Sequence, residues 1–370
     1  MSTDYKVPYT RILNISEHPG ADRLSIAQVY GFAVVVRKDQ YKVGDEVIYI
    51  PVDSIIPIWL EQRIFGPDSK IKLHHQRVKQ IRIRAFPSQG LILDPKLVED
   101  KLSNLKLEFD VSEVLEITKY EPPTPSFQTP GSPKLRDRPL TNPYFRTYNG
   151  IGNIKWMPDM FDGQEVELQE KLHGSHIRWG KAPFVANTLW KKVKKLFRMV
   201  PKFEEVYGSN KVELTNRSNF TGYYGSDVYG ACLQKLNAFD RIKDGEFWHG
   251  ELIGPGIQKG YTYGHKEHDI VVFDVRILQE DGTQKWLNPE EAEKLAKERG
   301  FDFVPVLYKG PFSKDVVNQH ISGPSVYDPN ELIREGCVVK SRYEYDQEGN
   351  KTALKCINPD YLDGDHGDNH

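Results

Sequence analysis

Seven prolines fall within "YEPPTPSFQTPGSPKLRDRPLTNPYF", Tyr120 to Phe145. A helix or a sheet interior does not tolerate that density, because each proline removes a backbone donor and fixes φ. The stretch therefore cuts the 370-residue chain in two, and each part is long enough to bury its own core. It predicts a first domain over 1–119, a linker over 120–145, a second domain over 146–361 and a polar tail, "DGDHGDNH", over 362–370. Phe127, Tyr144 and Phe145 give the linker apolar anchors against the second domain.

Bulk composition narrows the class without naming a function. At 38% hydrophobic and 28% charged residues, the chain reads as globular and soluble. A net charge of −2 means that any nucleic-acid surface must be local and offset by acid elsewhere. The three cysteines, Cys232, Cys337 and Cys356, are odd in number and lack metal-ligand spacing, which predicts reduced thiols. There is no apolar run of membrane-spanning length and no signal-peptide core in "MSTDYKVPYT". The expectation is an intracellular, cytoplasmic protein with no membrane partner. A nuclear, organellar or viral setting is equally compatible with it.

The first segment reads as short strands, "SIAQVYGFAVVVRK", "DEVIYIPVDSIIP", "IRIRAF" and "GLILD", which predict a small β-barrel. The second mixes strands with helices. "NPEEAEKLAKERG" carries a cap at Asn288, Pro289 in the first turn and Gly300 at the end. "NTLWKKVKKLFRMVP" places Leu189, Trp190, Val193, Leu196, Phe197 and Val200 on one face and basic residues on the other.

Chemistry gathers in the second segment. "EKLHGS" sets Lys171 on a strand-like run with Gly174 three residues on, and strands avoid glycine unless something must approach the backbone closely. Downstream, "GELIGPGIQKG" offers Glu251 before a glycine-rich loop, "VVFDV" offers Phe273 within a buried-strand pattern, "REGCVVKS" offers Glu335 and Lys340, and "TALKCIN" offers Lys355. Isolated buried charges are costly, so strands that each carry one should meet where the charges pair or bind something ionic. Three lysines and two glutamates suit a nucleoside triphosphate with a divalent cation. Neither a phosphate loop of the G-x-x-x-x-G-K-[ST] kind nor a dinucleotide fingerprint is present, which leaves a lysine that itself attacks phosphorus.

These motifs, in this order, resemble the covalent nucleotidyltransferases, which include polynucleotide ligases and mRNA capping enzymes. "EKLHGS" is similar to the nucleophile motif of RNA ligases, whose phage-type and editing branch favours Lys-x-His-Gly-Ser/Thr, and "GELIGPGIQK" resembles that branch's glutamate motif. The resemblance implies an α+β protein: an N-terminal OB-like β-barrel followed by an antiparallel-sheet-rich nucleotidyltransferase (ATP-grasp-like ligase) domain. "SEHPGADRLSIAQV" and "IRIRAFPSQGLIL" look like pieces of OB modules, among them the tRNA-binding barrel. The order of domains resembles the RNA ligase group first described from Deinococcus.

That resemblance implies ATP and Mg2+ or Mn2+ as cofactors. RNA with 3′-OH and 5′-phosphate ends, held as a nicked duplex by a monomer, is the implied partner. It makes Lys171 the nucleophile, Glu251 and Glu335 metal-binding and catalytic, and Lys355 catalytic on the α-phosphate. Phe273 stacks on adenine, Lys340 contributes to the nucleotide grip, and Glu170 reaches the adenine pocket through its backbone while its side chain faces solvent. His173 and Arg217 either contact phosphate or RNA or make structural hydrogen bonds, and the same two readings stand for Lys340. As an exposed site residue, Lys171 is expected to add little to stability. One departure stands out: the family's second lysine, two residues after Lys355, is here Ile357, and Lys340 and Lys351 are the candidates to compensate for it. The basic run "KIKLHHQRVKQIRIR", from Lys70 through Lys72, His74, His75, Arg77, Lys79, Arg82 and Arg84, is expected to touch RNA. Rival readings are a non-catalytic RNA- or tRNA-binding protein, a capping-type guanylyltransferase and a DNA ligase.

Overall fold

The computed structural model describes residues 5–69, 72–102, 106–120, 142–148, 150–186, 201–215, 224–345 and 351–363. Residues 121–141 of the expected linker, residues 187–200 of the basic amphipathic stretch, Arg217, Lys70 and the tail beyond Asp363 lie outside them. The chain divides into two compact units: Ser2–Pro122 with Gly152–Met160 and Leu362–His370, and Pro123–Ile151 with Phe161–Tyr361. The Gly152–Met160 segment thus sorts with the first unit. Gly31 donates its N–H to Lys155 O at 2.7 Å, and Trp156 packs against the rings of Tyr30, Phe32 and Tyr49. A Cβ at Gly31 would lie 2.8 Å from Lys155 Cα, so only glycine admits this approach.

In the first unit the β-branched runs form short antiparallel strands. Asn14–Glu17, Leu24–Val29 and Phe32–Arg37 make a meander, and Tyr9–Arg11, Glu46–Ile50 and Leu91–Leu93, distant in sequence, make a second three-stranded antiparallel sheet. Val7, Ile48, Ile50, Ile56, Leu60 and Leu93 fill one core cluster, and Ala27, Val29, Val34 and Tyr49 another. The "HPGADRL" segment is a turn. His18 Nδ1 accepts the Gly20 N–H at 3.0 Å, and the ring is buried.

In the second unit ten strands concern the site: β1 (Glu165–Lys171), β2 (Ser175–Pro183), β3 (Phe203–Ser209), β4 (Glu246–Ile253), β5 (Asp269–Leu278), β6 (Gln284–Trp286), β7 (Asp302–Phe303), β8 (Val306–Pro311), β9 (Gly336–Tyr345) and β10 (Lys351–Ile357). In one sheet β10, β9, β1 and β8 lie side by side, and in the other the order is β3-β2-β4-β5-β6, with β7 parallel to β5. Apart from β7 the pairings are antiparallel.

Each sheet sorts its residues by the period of two. In the second sheet Ile177, Trp179, Trp248, Leu252, Val272 and Val275 face a core closed by helices Val228–Lys235 and Pro289–Glu298. Trp179 and Trp248 are fully buried, and each buried aromatic of this size is worth roughly 2–3 kcal/mol in area removed from water. The Pro289–Glu298 helix starts as the sequence predicts, with Asn288 and Glu291 in a reciprocal capping box, and Gly300 follows at φ +72°.

Candidate active site

The register of the first sheet brings the sequence motifs together. Across β1 and β9, Lys171 stands opposite Gly336, Gln169 opposite Val338 and Glu167 opposite Lys340. Across β9 and β10, Gly336 stands opposite Ile357, Val338 opposite Lys355 and Lys340 opposite Ala353. Directly paired residues share a face, so Lys171, Lys340 and Lys355 all project from one side. Leu168, Val339 and Leu354 take the other side. The same face carries Ile357, buried beside Gly336, so the place of a second lysine is apolar and closed.

Glu335 enters from the residue before β9. Gly336 sits at φ +149°, and a Cβ there would lie 2.1 Å from Cys356 O. The strand can therefore begin directly after Glu335 only with glycine. Lys171 Nζ donates to Glu335 Oε1 at 2.6 Å, with the lysine side chain 24% and the glutamate side chain 2% exposed. Burial pulls the Lys171 pKa down, but the charges of Glu335 and Glu251 outweigh it and hold the amine above its usual value. For Glu251 the balance runs the other way. Burial and the Glu335 charge overcome the attraction of Lys171 and push its pKa up to about 8.

Glu251 lies on β4, opposite His176 of β2. The glycine after the lysine finds its reason here: a Cβ at Gly174 would lie 2.5 Å from Leu252 O and 2.7 Å from Glu251 Cγ. The turn from β1 into β2 passes so close to β4 that only glycine fits. That turn is also held from outside. His173 donates its backbone N–H to Tyr263 Oη at 2.7 Å, and Gln258 Nε2 donates to Gly174 O at 2.8 Å. Both partners belong to the glycine-rich loop after Glu251.

Phe273 owes its place to a bulge. On β5, Asp274 pairs with His249 and Val272 with Gly250, leaving Phe273 as the extra residue. A bulge re-aims a side chain in this way. The half-exposed ring is met edge-on by Tyr148 at 5.5 Å and His176 at 5.2 Å. His176 Nε2 lies 3.2 Å from His249 Nδ1. Burial first, then neighbouring arginine charges, lower both histidine pKa values, that of His176 to about 3. Both rings are therefore neutral at physiological pH.

Three expected roles need correcting. Lys340 does not reach out to a ligand; it is buried, and Nζ donates to Asp274 Oδ2 at 2.9 Å and to Phe273 O at 2.8 Å. It fastens one sheet to the other. His173 is 3% exposed, with Tyr361 Oη 3.1 Å from its ring and Tyr261 edge-on at 5.0 Å. A phosphate or an RNA end meets protein before it meets this imidazole. Glu170 is 2% exposed rather than solvent-facing. Its Oε2 accepts the N–H groups of Val326 at 2.8 Å and Tyr327 at 3.2 Å, so it pins the loop before β9. Its backbone N–H is taken by Pro305 O at 2.8 Å. Lys355 remains half-buried on the cleft face. Arg217 and the side chain of Lys351 lie outside the described residues.

Sequence reasoning missed Tyr148, Asp274 and His176. Asp274 interrupts an apolar run, and that was a usable signal. Tyr148 falls just inside the expected second domain, and nothing in "RTYNG" marks it as a site residue.

Among the described residues no three His, Cys, Asp or Glu side chains gather into a metal cage. The donor set that fits a divalent ion is the pair Glu251 and Glu335, flanking Lys171. Glu335 Oε2 is buried with no hydrogen-bond partner among the described residues. Two carboxylates with room for waters and a substrate phosphate are the usual holding for Mg2+ or Mn2+.

Comparison with known proteins agrees with this geometry. A family model described as RNA ligase matches residues 164–357, and an OB-fold domain model matches residues 7–95. Curated proteins give no match. Among solved structures, Naegleria gruberi RNA ligase with PPi is 21% identical, with a TM-score of 0.68 over 96% of this chain and 97% of that one. A point mutant of the same enzyme with ATP and Mn is 21% identical, with a TM-score of 0.70 over 97% and 98%. A point mutant with AMP and Mn is 21% identical, with a TM-score of 0.69 over 96% and 97%. The likeness extends through both units of the fold.

Proposed function

The chain belongs to the RNA ligase family, and on that premise we propose that it seals 3′-OH/5′-phosphate breaks in RNA with ATP, through a lysyl-AMP formed on Lys171. The observation that carries the reading is the pairing of Lys171 Nζ with Glu335 at 2.6 Å, on a sheet face shared with Lys355 and opposite Glu251. In the first step neutral Lys171 Nζ forms a bond to the α-phosphorus as the bond to pyrophosphate breaks. AMP then passes to the RNA 5′-phosphate, and a 3′-OH displaces it. Lys355 stands on the cleft face, where its charge serves the α-phosphate, and Phe273 offers its exposed face to the adenine.

The charges of Glu335 and Glu251 outweigh burial and favour the protonated Lys171 amine. A Mg2+ or Mn2+ ion between Glu251 and Glu335 would neutralise phosphate charge and relieve that hold. Support for ATP and manganese comes from the Naegleria enzyme, whose mutants were solved with them. In the first unit Lys72, His74, His75, Lys79, Arg82 and Arg84 are exposed. Arg77 is buried against Asp53, with Nη2–Oδ1 2.7 Å. These exposed side chains are the RNA-holding set, and the protein acts as a monomer on a nicked duplex.

Incubation with α-labelled ATP and a divalent metal tests the reading. Covalent label that Lys171→Met abolishes is expected, followed by transfer to nicked RNA. No label from any nucleotide would leave a binding protein, and label from GTP alone would leave a capping-type transferase. Sealing of all-DNA nicks as fast as RNA nicks would leave a DNA ligase.

A further inference from the structure

We propose that Tyr148, delivered by the segment upstream of the ligase fold, is a positioning residue that sets the Phe273 ring for the nucleoside. The proposal rests on the reading of Phe273 as the stacking residue. Two buried arginines seat the segment by its backbone. Arg178 donates from Nε to Ser209 O at 2.8 Å and from Nη1 to Phe145 O at 2.5 Å and Arg146 O at 3.1 Å. Arg276 donates from Nη2 to Arg146 O at 2.6 Å. The Phe145 ring lies under the Arg178 guanidinium at 3.9 Å and packs into a small cluster with Ala182, Val206 and Phe247. These contacts fix the placement of one side chain two residues beyond Arg146.

Tyr148 enters among four aromatic groups. Its ring meets Phe273 at 5.5 Å and an interplanar angle of 90°, His176 at 5.3 Å, His249 at 5.2 Å and Trp286 at 5.2 Å. Its hydroxyl donates to Asp274 Oδ2 at 2.8 Å. That same oxygen receives Lys340 Nζ at 2.9 Å, and Lys340 also holds the Phe273 carbonyl at 2.8 Å. Tyr148 therefore grips Phe273 twice, by ring edge and through the Asp274–Lys340 chain to its peptide. Burial and the Asp274 charge keep the phenol protonated, so it remains a donor. Phe273 is a bulge residue without a cross-strand partner, and side-chain neighbours must supply the constraint that a ladder would otherwise give.

The test uses the full chain and self-adenylylation over a range of ATP concentrations. Tyr148→Ala is expected to raise KM for ATP about tenfold, the scale of one lost aromatic contact, with the rate at saturation changed less than threefold. Tyr148→Phe keeps the ring edge and should rescue most of that loss. Phe273→Ala should itself raise KM; if it does not, the nucleoside reading fails, whatever Tyr148 does. Given that Phe273→Ala does raise KM, the double variant decides. Tyr148→Ala added to Phe273→Ala should cost nothing further if Tyr148 acts through that ring. An equal rise in KM in both backgrounds, or an unchanged KM in the single variant, overturns the proposal. Should Tyr148→Ala not fold by heat denaturation, Tyr148→Leu carries the same cycle, since it keeps apolar volume while removing ring edge and hydroxyl.

Discussion

Lys171 and Glu335 stand 164 residues apart in sequence and 2.6 Å apart in the fold. The contact is half-sunk: one partner is 24% exposed and the other 2%. Removing the lysine strands a buried carboxylate, which contradicts the view of Lys171 as a dispensable surface group. Lys171→Met should abolish adenylylation and also lower unfolding free energy by about 1–3 kcal/mol, less than for a fully buried pair because the lysine is partly wet. Adding Glu335→Gln should restore much of the stability and none of the activity. Urea unfolding of the three proteins checks this; a Lys171→Met variant as stable as the parent would contradict it.

Glu251 links function to pH. Burial pushes its pKa up to about 8, above the ordinary carboxylate value of about 4.5. A carboxyl raised in this way favours the folded state at low pH, and that advantage is lost as pH rises from about 4.5 through about 8. Glu251→Gln removes the titration. The variant should therefore gain unfolding free energy over the parent at pH 9 but not at pH 4, on the order of 1–4 kcal/mol. It should not adenylylate at either pH. Parallel melting curves that stay superimposed from pH 4 to 9 would rule out the assigned shift.

Gly174→Ala is a smaller change with a larger reach. The new Cβ would meet Leu252 O at 2.5 Å and Glu251 Cγ at 2.7 Å. One side of that clash is backbone, so the β1–β2 turn or β4 must move, at about 1–3 kcal/mol. Because the displaced atoms adjoin both Lys171 and Glu251, adenylylation should fall by at least tenfold even in folded protein. Full activity in this variant would show that the turn has room the geometry denies.

Charge removal in the first unit should separate holding from chemistry. Lys79→Ala with Arg84→Ala deletes two exposed cations. Sealing at low RNA concentration should weaken, and the slope of log affinity against log salt should become shallower by about 1.5–2. Self-adenylylation should be unchanged. An unchanged slope would remove these residues from the RNA surface.

The order of motifs announced the chemistry because each sits at a strand end or at a glycine, where local sequence fixes the backbone. Lys171, Glu251 and Glu335 converge as the spacing implied, and the Asn288-capped helix formed where its capping box stood. What stayed illegible depends on register. Nothing local says that Lys340 is buried against Asp274 while Lys355, on the same sheet face, is only half-buried; that depends on a partner on β5, 66 residues away. Burial of His173 likewise depends on Tyr261, Tyr263 and Tyr361, two of them about ninety residues away and one nearly two hundred. A side chain's solvent exposure is set by partners that the motif does not contain.

The bulge on β5 has a consequence for comparing this chain with distant relatives. Upstream and downstream of Phe273 the strand is out of step by one residue relative to β4. A homologue whose strand runs straight lacks that residue, and the gap in any alignment belongs at Phe273 itself. Placed a position to either side, or left out, it would transfer the stacking role proposed for Phe273 to Val272, which faces the core, or to Asp274, which is already taken by Lys340 and Tyr148.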